Sequence, residues 1–145
     1  MNLAHLLVGS EGTLAFTQSL RLKLSPLPRH KVLGVVNFAS FHKAMDSAQH
    51  IVTLKPQAVE LVDRTMIELA LANPAFAPVI RTALIGEPEA ILLVEFAGDD
   101  AAANHRQLDA LIELMGDLGL PGTVAELRDE APQKALWEVR KAGLN

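Results

Sequence analysis

The sequence contains no cysteine, which excludes disulfides, zinc–thiolate sites and iron–sulfur ligation within these residues. No apolar run comes near the roughly 18 residues that a membrane-spanning helix needs. No cationic stretch precedes an apolar one at the start, so a secretory leader is not expected. An excess of positive charge is missing as well. The net charge is −4, whereas a nucleic-acid surface would be basic, so nucleic acid is not an expected partner. What is present is 145 residues, half of them hydrophobic, with a mean hydropathy of +0.23. That is enough for one domain with a real core, and too apolar for a disordered polar segment. A cytoplasmic, globular protein of mixed helix and strand is the class this composition favours.

Charge is unevenly placed. Residues 1–31 hold Arg21, Lys23, Arg29 and Lys31 against Glu11, while residues 84–131 hold eleven carboxylates against Arg106 and Arg128. The acidic second half repels phosphate backbones and anionic lipid, and reads most simply as a solvated face.

Along the chain, Leu6-Leu7-Val8 is a short apolar run leading into Gly9-Ser10-Glu11-Gly12. Thr13 to Leu24 then alternates, with Leu14, Phe16, Leu20, Leu22 and Leu24 against Thr17, Ser19, Arg21 and Lys23. Period two predicts a long strand, broken near Gln18. Ser25-Pro26-Leu27-Pro28 ends it, because proline cannot donate to a ladder, and marks the best unit boundary in the sequence.

From Lys31 the pattern is regular. Val32 to Phe38 predicts a buried strand. Ser40 caps a helix carrying Phe41, Ala44, Met45, Ala48 and Ile51 at helical spacing, and Lys55-Pro56 stops it. Ala58 to Val62 predicts a second strand, and Asp63 the cap of a helix through about Ala72. Asn73-Pro74 and Pro78 break the pattern into an irregular or short helical link. Ile91 to Phe96 predicts a third strand, so apolar that it is central or covered on both faces. Asp99 or Asp100 opens a helix with Leu108, Leu111, Ile112, Met115 and Leu118 on one stripe. Thr123 to Leu127 predicts a fourth strand, and a last helix from about Ala131 carries Leu136, Trp137 and Arg140. The order β-α-β-(α)-β-α-β predicts an α+β, ferredoxin-like antiparallel sheet with helices on one face.

Chemistry has few places to sit. Gly9-Ser10-Glu11-Gly12-Thr13 has glycines that let a ligand approach the backbone. It matches neither the P-loop nor the nucleophile elbow, and a tight connecting turn explains it as well. His5, His30, His42, His50 and His105 lack metal-ligand spacing. Asp99-Asp100 is explained by helix capping. In Leu136-Trp137-Glu138-Val139-Arg140, an arginine one turn after a tryptophan suits a substrate carboxylate. A tryptophan anchoring the helix beside a solvated arginine is an equal reading.

Several segments together resemble one family. Leu7-Val8-Gly9-Ser10-Glu11-Gly12-Thr13-Leu14 resembles the G-S-E-G-T-L-G segment near the end of the FAD-binding domain in FAD-linked oxidases. These are the D-lactate dehydrogenase, glycolate oxidase and D-2-hydroxyglutarate dehydrogenase group. Ala58-Val59-Glu60-Leu61-Val62-Asp63 is similar to the family's A-x-E-x-M-D junction, and Leu136–Arg140 to its L-W-x-x-R helix. The resemblance implies residues 1–28 as the end of the FAD-binding domain and 29–145 as an incomplete C-terminal substrate (cap) domain. The FAD domain proper would precede residue 1, and metal-ligand histidines would follow Asn145. It implies FAD contacts at Gly9, Ser10, Glu11, Gly12 and Thr13, and a substrate carboxylate at Arg140. Ala15 departs from the family's glycine, and Leu144 stands where some members carry a hydroxyl. The implied activity is flavin-dependent oxidation of a D-2-hydroxy acid to the 2-oxo acid in the intact parent. The isolated piece would be inactive and retain no FAD. The alternative reading is a stand-alone ferredoxin-like module that binds a small effector or forms a homo-oligomer through its sheet.

Overall fold

The computed structural model describes residues 2–142. A seven-residue helix α1 (Leu3–Gly9) begins the chain, capped by the Asn2 side chain, which accepts from the Ala4 N–H at 3.0 Å. No strand follows it. Residues 13–24 form no ladder with any strand among the described residues, and Phe16 is 94% exposed. The alternation predicted a strand there, but a strand exists through its cross-strand partners. Without one, the same pattern gives exposed, irregular chain.

The sheet begins at β1 (His30–Phe38) and continues through β2 (Ala58–Asp63), β3 (Ala90–Gly98) and β4 (Val124–Leu127). Its spatial order is β2-β3-β1-β4, and every neighbouring pair is antiparallel. This is the split pair of βαβ units expected from the element order: β3 lies between β1 and β2, and β1 between β3 and β4.

The helices are α2 (Phe41–Ile51), α3 (Arg64–Ala72), α4 (Ala77–Arg81), α5 (Ala101–Asp117) and α6 (Glu130–Ala142). Three caps fall where the sequence puts them. Ser40 accepts from the Lys43 N–H, Asp63 from Met66, and Asp100 from Ala102 and Ala103. Each satisfies donors that a helix start would otherwise leave unpaired.

The helices cover both faces of the sheet rather than one. Val32, Val36, Leu92, Val94 and Phe96 pack with Ala44, Ile51, Leu108, Leu111 and Met115 of α2 and α5. Leu33, Val35, Ile91 and Leu93 point the other way and pack with Ile67, Ile80, Leu136 and Val139 of α3, α4 and α6. Strands apolar at both parities expose one hydrophobic face unless both are covered. Gly34 permits the closest approach on the first face: a Cβ there would lie 2.7 Å from Leu111 Cδ2 and 2.9 Å from Leu108 Cδ1.

Asn37 ties the sheet to its surroundings. Its buried Nδ2 donates to the carbonyls of Val35 (3.1 Å), Ala83 (3.1 Å) and Thr123 (3.3 Å), and its Oδ1 accepts from the Ile85 N–H at 3.0 Å. One side chain thereby satisfies groups of the α4–β3 link and of the turn entering β4.

Candidate functional site

The second sheet face and α6 build the site. α6 runs across the strands, and residues at i, i+4 and i+7 on it each meet a different part of the sheet, the first two by hydrogen bonds and the third by an ion pair. Gln133 Nε2 donates to the carbonyls of Lys31 (3.1 Å) and Leu127 (3.0 Å), at β1 and β4. Trp137 Nε1 donates to Glu95 Oε2 on β3 at 3.1 Å. Arg140 Nε lies 2.8 Å from Glu60 Oε2 on β2. Leu136 and Val139, between these, enter the core. The helix is thus held by apolar burial and positioned by a line of polar contacts.

Glu95 is 6% exposed, and its second oxygen accepts from Lys31 Nζ at 3.0 Å. A buried carboxylate is tolerated when it is paired and hydrogen-bonded, as this one is on both oxygens.

At the far end of α6, Arg140 borders an apolar cavity of about 240 Å³ between α3, α4, α6 and the sheet. Val62, Met66, Ala70, Ile80, Leu93 and Leu136 line it, and its polar lining residues are Asn73 and Arg140. A guanidinium carries five N–H donors in a planar fork. The ion pair with Glu60 is at Nε, and the terminal nitrogens of the guanidinium are the chemically suited receptor for a carboxylate.

The Gly9–Thr13 loop is a helix-terminating turn. Ser10 Oγ donates to the Leu7 carbonyl at 2.7 Å, and Thr13 Oγ1 to the Ser10 carbonyl at 2.6 Å. The N–H groups of Ser10, Glu11 and Thr13 also bond within the turn. Gly12 has φ +84°, which glycine adopts without strain, and Glu11 enters the same region at φ 49°. A Cβ at Gly9 or Gly12 would meet no atom within 4 Å. The loop therefore offers a ligand open backbone rather than free hydroxyls. It is not among the residues lining the Arg140 cavity.

The histidines form no cluster: among the described residues no three His, Asp or Glu side chains are placed to hold a metal ion. Asp100 caps α5, as helix capping predicted. Leu144 lies outside the described residues. Sequence reasoning missed Glu60 and Glu95 as polar partners of α6. The available signal was a carboxylate at a core-facing parity in an otherwise apolar strand.

Comparison with known proteins gives a consistent family. The family model described as FAD linked oxidases, C-terminal domain, matches residues 27–145. D-2-hydroxyglutarate dehydrogenase of Pseudomonas putida is 30% identical over 99% of this chain, which spans 15% of that protein. The Escherichia coli (strain K12) protein of the same name is 33% identical over 81% of this chain and 12% of its own length. The mitochondrial cytochrome-type D-lactate dehydrogenase of Arabidopsis thaliana is 28% identical over 99% of this chain and 24% of its own length. Among the described residues, no helix is long and apolar enough to cross a membrane.

Proposed function

This chain belongs to the family of FAD linked oxidase C-terminal domains, and from that premise we propose that it forms the substrate-side part of a larger flavoenzyme that oxidises a D-2-hydroxy acid to the 2-oxo acid. The relatives' names support the substrate class, and the chain's share of their length supports its place within a longer protein. On this reading residues 1–28 close the FAD-binding domain, which fits their exposed apolar side chains. A cytoplasmic parent belongs to the same proposal, and the cysteine-free composition of these residues is compatible with it.

The observation that carries the proposal is Arg140 at the rim of an apolar cavity, with its Nε side against Glu60. The terminal guanidinium nitrogens take the substrate carboxylate as a charge-assisted pair, which fixes one end of the molecule. The apolar lining takes the substituent and keeps water from it. Orientation of this kind turns an encounter into a positioned reaction at the α-carbon. The open backbone at Gly9 and Gly12 fits the close approach of a planar or phosphate group, so Gly9, Ser10, Glu11, Gly12 and Thr13 are the proposed FAD contacts. When bound, FAD supplies the hydride acceptor, and the protein supplies binding and electrostatics.

Anaerobic mixing of the full-length flavoenzyme with D- and L-2-hydroxy acids tests the proposal. Bleaching of the oxidised flavin band by the D acid, with one 2-oxo acid formed per flavin, is the expected result. A flavin that stays oxidised with every 2-hydroxy acid would refute it.

A further inference from the structure

We propose that Glu95 is a positioning residue: through Trp137 it sets the register of α6 on the sheet, and together with Glu60 it fixes where the helix holds the Arg140 guanidinium. For turnover the inference rests on the reading of Arg140 as the carboxylate receptor. The contacts that carry it all lie within this chain.

Leu136 and Val139 hold α6 against the sheet by apolar burial, which is non-directional and tolerates sliding. A slip of one residue moves a helix by about 1.5 Å and turns it by about 100°, enough to carry an arginine off a carboxylate. Directional contacts prevent the slip, and Glu95 makes the central one. Its carboxylate is buried on β3, accepting from Trp137 Nε1 at 3.1 Å and from Lys31 Nζ at 3.0 Å. Lys31 closes a ring, because its own carbonyl accepts from Gln133 Nε2, one turn before Trp137, at 3.1 Å.

In the register of β2 on β3, Glu95 stands opposite Ala58 and Glu60 opposite Leu93. The two glutamates are therefore diagonal neighbours on one face of the sheet, about 7–8 Å apart at the backbone. Trp137 and Arg140, three residues apart on α6, are neighbours on one face of the helix, about 5–6 Å apart at Cβ. The donors on the helix are thus spaced to meet the acceptors on the sheet. Two such points fix a helix where one leaves it free to pivot. A buried charge is a poor way to gain stability, since an apolar residue of similar volume often serves as well or better. What the carboxylate adds at position 95 is direction.

The experiment uses Glu95→Leu, Glu95→Gln and Trp137→Phe. In the 145-residue chain, NMR reads the hydrogen exchange of the Arg140 Nε–H, the group paired with Glu60. Glu95→Leu should speed that exchange about five-fold. Glu95→Gln, which keeps an acceptor for the indole, should leave it near the wild-type rate. In the full-length protein, Trp137→Phe should raise KM for a D-2-hydroxy acid about five-fold, with kcat changing less. The same substitution made in Arg140→Ala should change kcat/KM by less than about two-fold, because residues that act through one another are not additive. Unchanged exchange in Glu95→Leu overturns the proposal. Where Arg140→Ala itself lowers kcat/KM, a Trp137→Phe loss that is absent, or equal in both backgrounds, overturns it as well, since a merely structural role acts in both. If exchange responds as expected while Arg140→Ala leaves kcat/KM at the wild-type value, the positioning of Arg140 stands and the carboxylate-receptor reading falls.

Discussion

Arg140 on α6 and Glu60 on β2 meet at 2.8 Å, joining a helix to the edge strand of the sheet beneath it. The pair links the two segments whose resemblance to a family was visible separately, Ala58–Asp63 and Leu136–Arg140. It is partly exposed, with side-chain accessibilities of 24% for Arg140 and 38% for Glu60, so its contribution to stability is small after solvent screening. Its larger consequence is orientation, because a guanidinium held on its Nε side presents its terminal nitrogens in a fixed direction.

Glu60→Ala should therefore raise KM for the hydroxy acid by about ten-fold in the full-length enzyme, with kcat changing less. Glu60→Gln, which keeps an acceptor at the same reach, should recover most of the loss. Steady-state kinetics with both variants checks this. Equal losses in the two would mean that charge neutralisation, not positioning, is what Glu60 supplies.

Glu95 predicts a spectroscopic effect. Trp137 is the chain's single tryptophan, and its indole N–H donates to this buried carboxylate. Glu95→Ala leaves the indole donor unpaired and frees Lys31, which already reaches solvent. The expected cost is about 1–3 kcal/mol, with a change in Trp137 emission. Urea unfolding followed by fluorescence measures both. An unchanged spectrum with unchanged stability would show that the contact is not held in solution.

Asn37 carries a test of the fold alone. Its substitution by Ala strands the Ala83 carbonyl and the Ile85 N–H, a loss of about 2 kcal/mol or more. Asn37→Asp should be worse at neutral pH, since a carboxylate would then face three carbonyl oxygens. Thermal unfolding of the two variants gives the comparison, and an Asp variant as stable as wild type would contradict the assignment of Nδ2.

Much of this architecture is legible in the sequence because it is local. The caps at Ser40, Asp63 and Asp100 and the breaks at Asn73-Pro74 and Pro121-Gly122 punctuate the chain where the elements change. The covering of both faces was only half legible. Leu33 and Val35 are as buried as Val32 and Val36, and a run apolar at every position shows burial without saying what lies on each side. Residues 13–24 misled for the opposite reason, since alternation describes a surface and not its partner. The site was legible in parts. Arg140 stood out beside Trp137, but its partner is eighty residues earlier in the sequence, and no local pattern joins them.

Acid should act on the start of α6. The hydrogen bond from Lys134, with its charge, holds the Glu130 carboxyl below the usual carboxylate range. A carboxyl whose pKa is lowered by folding stabilises the fold above its ordinary value, and the contribution disappears as pH falls through the lowered one. Lys134→Ala should consequently reduce stability slightly at neutral pH and not at all once acid has protonated Glu130. A loss that persists in acid would show that the effect does not come from the ion pair, since alanine is itself the better helix former.

The most direct measurement of the central claim is kcat/KM of the full-length protein on the proposed D-2-hydroxy acid substrate with Arg140 replaced. Loss of one partner of a desolvated charge pair costs on the order of 2–5 kcal/mol. Arg140→Ala is thus expected to lower kcat/KM by about 100-fold or more with normal flavin content, and Arg140→Lys to recover only part, because an ammonium lacks the planar fork. A folded, fully flavinated Arg140→Ala enzyme with near-wild-type kcat/KM would contradict the account.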